Sequence, residues 1–342
     1  MMIHQPQTLT KNETAALLAV FCVAPAAMSA ATHDPPAHLV FTSDPQYPWS
    51  ESSDEGQPET DAKRDARSKW LIETQYADVA DFRKNFGGAS RVPVMINGDI
   101  TAYGHDWQRS VVMPILDAKL ERTYDYGLGN HDYENNVDDC FLNRCAAASV
   151  EAIKERYWGK VDSMDFGVRV LGNTDIYYGS LAYAKTFGDL LLVQLHNEPT
   201  YTATFSTGVP WISAKDFEIN DSLDWLEGIL RKGREQGRII ILSMHKPRDW
   251  AGDAQQIERF RRIVEQYRVT AVFAGHYHEY SGRYWSASEQ FGTVPVFLSG
   301  SASQQTYLIA SFSEDRKTLT VNRVRANNWP SRQVESEIEV RY

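Results

Sequence analysis

Aspartate, asparagine and histidine recur in this chain just past short apolar runs, where a sheet would present side chains to a ligand. "HLVFTS" (38–43) is followed by "DPQ" with Asp44 and Gln46, and "VPVMIN" (92–97) by "GD" with Asp99. "YDYGLG" (124–129) runs into Asn130, His131 and Asp132. "RIIILSMH" (238–245) ends in His245, and "RVTAVFAG" (268–275) leads into His276 and His278 of "GHYH". Carboxylate, amide carbonyl and imidazole together suit Zn, Mn or Fe better than Mg alone. With this many donors, two ions sharing one aspartate is the natural arrangement.

Residues so far apart meet only if a sheet gathers them. The runs above, with "DLLLVQLH" (189–196), are continuously apolar, as strands covered on both faces are. Helical periodicity lies between them at 68–86, 106–121, 149–158, 221–236 and 254–267. Leu223, Leu226, Ile229 and Leu230 share one face of the fourth stretch, and Ile257, Phe260, Ile263 and Val264 one face of the fifth. Alternating strands and helices predict an α/β fold whose ligand crevice lies beyond the carboxyl ends of the strands. The tail, 294–342, reads as β-rich, with strands expected at 294–300, 306–313 and 318–326. Polar, turn-rich 48–65 and 159–180 read as loops, and no repeat or linker divides 31–342 into more than one domain.

Taken in order, the five blocks resemble the calcineurin-like metallophosphoesterase superfamily, whose pattern reads D-x-H, G-D, G-N-H-D/E, a lone His after a strand, and G-H-x-H. The resemblance spans roughly residues 38–300. It implies a four-layer fold, a central two-sheet β-sandwich flanked by helices. It also implies a dinuclear metal-dependent phosphoric ester hydrolase, a phosphatase or phosphodiesterase that uses water directly. Asp44 and His278 would then bind the first metal, Asp99 would bridge, and Asn130, His245 and His276 would hold the second. His131 would sit beside the substrate, assisting the leaving group or stabilising charge, with Asp132 or another acid to orient it. Gln46 stands where most of the superfamily has a histidine, so the first metal gains at best a neutral amide oxygen there. Some branches carry "DPQ". The alternative is an exported binding or toxin-like protein on the same fold with weakened or lost catalysis. Tyr103 follows Asp99 by four residues; the metal-binding tyrosine of purple acid phosphatases follows by three, so no such role is expected.

Secondary candidates are His105 and His196, which either touch substrate phosphate or serve as surface or capping residues. Arg283, Tyr277 and Tyr280 lie close to the last block. Tyr47, Trp49 and Trp107 directly follow metal blocks, where they would line the crevice mouth or cover the sheet edge. The expected substrate is a small phosphoester or a phospholipid headgroup. Nucleic acid is excluded as a partner: 45 Asp and Glu against 35 Lys and Arg leave a net charge of -10, with no basic cluster to meet a phosphate backbone.

Residues 1–30 read as a cleaved export signal, with Lys11, an apolar stretch from Ala15 to Met28, and a small-residue exit. The stretch is too short to span a bilayer comfortably, so a periplasmic or secreted protein without stable membrane insertion is expected. Cys22 leaves with the signal. Cys140 and Cys145 then remain as an even pair in an oxidising compartment, which predicts a local disulfide. Peptide mapping of the exported protein without reductant should recover the two cysteines on one linked peptide; free thiols at both positions would contradict this.

Overall fold

The computed structural model describes Met1, residues 34–208 and residues 214–342, so the expected export signal lies outside the described residues. In chain order the first strands are β1 (His38–Thr42), β2 (Val94–Ile96), β3 (Asp125–Tyr126), β4 (Ser163–Met164), β5 (Gly167–Leu171), β6 (Thr174–Gly179), β7 (Tyr183–Phe187) and β8 (Leu190–Gln194). They are followed by β9 (Ala203–Thr207), β10 (Lys215–Ile219), β11 (Ile239–Ser243), β12 (Ala271–Ala274), β13 (Ser281–Tyr284), β14 (Val296–Ser299), β15 (Tyr307–Phe312), β16 (Thr318–Val324) and β17 (Gln333–Glu339). The helices are α1 (Glu51–Asp54), α2 (Asp61–Asn85), α3 (Asp106–Leu120), α4 (Arg144–Tyr157), α5 (Leu223–Glu235), α6 (Ala254–Gln266) and α7 (Ser288–Phe291).

A six-stranded sheet runs β17-β16-β15-β1-β2-β3 and a seven-stranded sheet β13-β14-β12-β11-β8-β7-β4. A third, of four strands, runs β5-β6-β10-β9. Strands β1, β2 and β3 are parallel, as are β8, β11, β12 and β14, so the carboxyl ends within each set point one way. Phe41 of β1 lies flat on Phe273 of β12, ring centroids 3.7 Å apart, so the two large sheets face each other.

Alternation along each strand explains the unbroken apolar runs. Ile239, Ile241, Phe273 and Phe297 enter the core shared with β1 and β2. Their neighbours Ile240, Leu242, Val272 and Val296 point the other way, onto Leu226 and Leu230 of α5 and Phe260 and Val264 of α6. The periodic faces expected for α5 and α6 are the ones buried, and α6 begins where Asp253 accepts hydrogen bonds from the Gln255 and Gln256 amides. Ile72, Tyr76 and Phe82 of α2 and Val112 and Leu116 of α3 pack into the core around the six-stranded sheet. The result is the four-layer, two-sheet sandwich with flanking helices that the resemblance implies.

Two segments expected as loops are ordered instead. Within 48–65 lie α1 and the start of α2, whose N-cap Thr60 accepts from the Lys63 amide; α1 buries no residue completely, so it leaves no apolar stripe to detect. Within 159–180 lie β4, β5 and β6; of the apolar residues of β5, Val168 packs half-buried against the core while Val170 and Leu171 are exposed. Strands β13 and β17 were also not anticipated; β17 is a largely exposed edge strand. Cys140 and Cys145 are joined in a disulfide, with Cα atoms 5.8 Å apart. Among the described residues no helix is long and apolar enough to cross a membrane.

His196, just past β8, ties the sheets together. Its buried ring accepts from the Leu128 amide at Nδ1 (3.0 Å), beyond β3, and donates from Nε2 to the Leu181 carbonyl (2.8 Å), before β7. It is a cross-sheet brace and not a substrate contact. Accepting at Nδ1 requires the neutral ring, and burial lowers its pKa to about 4. Because the folded-state value is depressed, this contribution is complete above the unfolded pKa near 6.5 and is lost as pH falls toward 4, on the order of 3 kcal/mol. Urea unfolding of His196→Gln should show a shallower fall in stability between about pH 6.5 and 4 than wild type. Identical slopes would contradict the role of the neutral ring.

Candidate metal centre

The loops beyond the parallel strands are zipped together before any side chain is considered. Asp44 donates its amide to the Gly98 carbonyl (3.1 Å), Gln46 to Asp99 (2.8 Å), Gly275 to His245 (2.9 Å) and Ala302 to Asp44 (3.2 Å). Several of these residues have left-handed backbones, with φ of 52° at Asp44, 39° at Gln46, 48° at Asp99 and 75° at His276. Such conformations cost on the order of 1 kcal/mol or more each outside glycine and gather at functional sites. Gly129 permits a close approach to Asp99: a Cβ there would stand 2.2 Å from Asp99 Oδ1.

Three polar atoms converge in the interior. His245 Nε2 lies 3.0 Å from Asp99 Oδ2 and 3.0 Å from Asn130 Oδ1. His245 Nδ1 donates to the Asn97 carbonyl (2.8 Å), so Nε2 is the nitrogen that points its lone pair at two oxygens. Asp99, His245 and His276 offer ligand atoms that all lie within 4.8 Å of one another. Lone pairs crowded in this way repel unless a cation or a proton lies among them. The charges respond accordingly. Burial opposes a charge on His245, but the Asp99 and Asp44 carboxylates outweigh it and raise the pKa to about 9. Burial and the neighbouring His245 take His276 down to about 4, while His245 holds Asp99 well below the ordinary carboxylate value against the effect of burial. A field that holds a proton on a buried imidazole also favours a divalent cation.

Beside this trio, His278 Nε2 lies 3.2 Å from Asp44 Oδ1, and Asp44 Oδ2 accepts from the His276 amide (3.1 Å). Behind His278 stands Asp54 of α1, whose Oδ1 accepts from His278 Nδ1 (2.5 Å) and Trp49 Nε1 (2.6 Å). Burial works against a charge on His278, yet Asp44 and Asp54 raise its pKa to about 10. The Gln46 side chain is buried with neither amide atom hydrogen-bonded to protein. A buried amide orphaned in this way suits a metal or its water. All seven residues expected as ligands from sequence therefore meet at one end of the sandwich, and the donor set fits metal.

His131 is half-buried at the edge of this cluster. Its amide donates to Asp99 Oδ1 (2.9 Å) and its Nδ1 to the Ala102 carbonyl (2.8 Å), while Trp49 packs edge-on against it, 5.6 Å between centroids. Asp132 does not orient this ring. Its carboxylate turns inward to accept from the amides of Ile100 (3.0 Å), Thr101 (2.9 Å) and Gly129 (3.1 Å) and from Thr101 Oγ1 (2.8 Å), clamping one ligand loop to the next. Burial and the Asp99 charge raise its pKa to about 6.

The secondary candidates separate. The His105 ring meets Trp107, Tyr103 and Cys145 Sγ (3.2 Å), and none of the converging ligands. The Arg283 guanidinium packs over Trp285 and Phe297, and Tyr277 donates to Asp249. Tyr47 is buried, whereas Tyr103 and Trp107 are exposed and line a cavity of about 350 Å³ with Pro48 and Ala62. A cavity of about 1010 Å³ around Tyr124 and Arg156 contains none of the candidate ligand residues. Asp54 is the residue that sequence reading passed over, because it lies in a polar stretch taken for a loop.

Residues 37–280 match the family of calcineurin-like phosphoesterases. The chain belongs to this family. Members are metal-dependent phosphoester hydrolases, and the donors gathered here fit a metal. No curated protein sequence matches. Similar solved structures include the calcineurin-like phosphoesterase YfkN from Bacillus subtilis, 13% identical, covering 90% of this chain and 91% of that one at a TM-score of 0.40. Another is a protein serine/threonine phosphatase from Saccharomyces cerevisiae, 10% identical, covering 86% and 81% at 0.35.

For this calcineurin-like phosphoesterase the packing of Gly129 on Asp99 gives a direct test. Gly129→Ala should displace Asp99 and weaken metal binding by about tenfold or more while leaving the far-ultraviolet circular dichroism unchanged. Wild-type metal affinity in that variant would contradict the geometry.

Proposed function

We propose that the chain hydrolyses a phosphate mono- or diester with water as the nucleophile and two metal ions, Mn, Zn or Fe by donor type, as cofactors. The observation that carries this reading is the convergence of Asp99 Oδ2, Asn130 Oδ1 and His245 Nε2 beside the Asp44–His278 pair. Asp44, Gln46 and His278 would hold one ion, Asn130, His245 and His276 the other, and Asp99 would lie between. Bound there, such a pair supplies Lewis acidity toward a phosphoryl oxygen and makes water acidic enough to attack in line.

The chain's own residues supply the rest. With Nδ1 committed to the Ala102 carbonyl, His131 keeps Nε2 for the substrate. As the bond from phosphorus to the water oxygen forms, that water releases a proton to solvent, and as the ester P–O bond breaks, His131 carrying a proton on Nε2 donates it to the leaving oxygen or balances its charge. Trp49, packed against both His131 and His278, favours an organic phosphate or a lipid headgroup. The signal-like segment 1–30 and the Cys140–Cys145 disulfide support export to the periplasm or beyond.

Metal analysis combined with assays on 4-nitrophenyl phosphate and bis(4-nitrophenyl) phosphate tests this. Hydrolysis of at least one with Mn, Zn or Fe is expected, and His245→Ala should lose one ion per chain together with about 100-fold or more of the activity. Inactivity with Mn, Zn, Fe, Ni and Ca alike would remove the enzyme reading, and a fully active His245→Ala would overturn the ligand assignment.

A further inference from the structure

We infer that Asp54 is a positioning residue for the first metal ion, acting through His278 and offsetting the histidine that this chain lacks at position 46. This rests on the proposed function and adds a residue to that site. Asp54 Oδ1 accepts a hydrogen bond from His278 Nδ1 at 2.5 Å, which leaves Nε2 to face Asp44 Oδ1 at 3.2 Å. The carboxylate is itself locked: Oδ1 also accepts from Trp49 Nε1 (2.6 Å), and Oδ2 from Ser303 Oγ (2.6 Å) and Gln304 Nε2 (2.7 Å). Four donors fix its plane, so the ring it holds has one orientation.

The contrast with the neighbouring imidazoles is specific. His245 and His131 each donate Nδ1 to a backbone carbonyl, Asn97 and Ala102 respectively, whereas His278 donates to a carboxylate. A carboxylate behind a ligating imidazole raises its basicity and fixes its tautomer more firmly than a neutral carbonyl does. That stronger donor stands in the half of the site where the second imidazole is replaced by the amide of Gln46. One well-supported imidazole there does the work of two.

Titration of the metal-free protein with Co²⁺, followed by its visible absorption, reads the two sites without any turnover. Asp54→Asn should weaken one of the two ions by about 10–100-fold and leave the other unchanged. Adding Gln46→His to that variant should restore the weakened site, which a merely structural role for Asp54 would not produce. Should Asp54→Asn fail to fold, Ser303→Ala retains the carboxylate, removes one of its donors, and should weaken the same ion to a smaller degree. Wild-type affinity at both sites in Asp54→Asn or Ser303→Ala, or no recovery in the double variant, would overturn the inference. Wild-type protein that takes up no Co²⁺ would instead overturn the proposed function.

Discussion

A buried meeting of lone pairs governs this structure. Asp99 and Asn130 each bring an oxygen to 3.0 Å from the same His245 nitrogen, where water cannot screen them. Nothing in the apolar packing calls for this crowding. It is sustained because the surrounding loops leave the donors no other place, and it is relieved by a cation. The left-handed backbones at Asp44, Gln46, Asp99 and His276 are the local cost of that placement. The broad apolar interface of the two sheets offsets that cost.

The sandwich makes the placement possible in a definite way. Parallel strands from both sheets end on the same side, so β1, β2 and β3 deliver Asp44, Asp99 and Asn130, while β11 and β12 deliver His245 and His276. The amide-to-carbonyl bonds between successive ligand loops then set the spacing, and Asp132 fastens two of those loops through four hydrogen bonds. His196 does the same between the sheets. The placement of the donors depends on buried braces away from the rim.

Much of this was legible in the residues alone. Strands buried on both faces give unbroken apolar runs, and the donors follow those runs at once, so the core strands and the candidate ligands could be read together. What escaped notice did so for physical reasons. Asp54 is separated from His278 by 224 residues and lies in a short helix with no apolar stripe, so neither spacing nor periodicity marks it. Asp132 adjoins His131 in the chain, but successive residues in a tight loop point in different directions, and its carboxylate turned to the backbone. His196 followed a strand as the ligands do, yet its ring was drawn into the interior by two complementary backbone groups. The strands within 159–180 lie mostly outside the core, and their polar alternation resembles a loop.

The central claim is that the buried donors exist to hold a metal pair with Asp99 between its members. Anomalous diffraction from crystals grown with Mn²⁺ tests it most directly. The account predicts two peaks, one beside Asp44 and His278 and one beside Asn130, His245 and His276, both in contact with Asp99. No anomalous peak in this cluster, or a single ion that leaves Asp99 untouched, would contradict it.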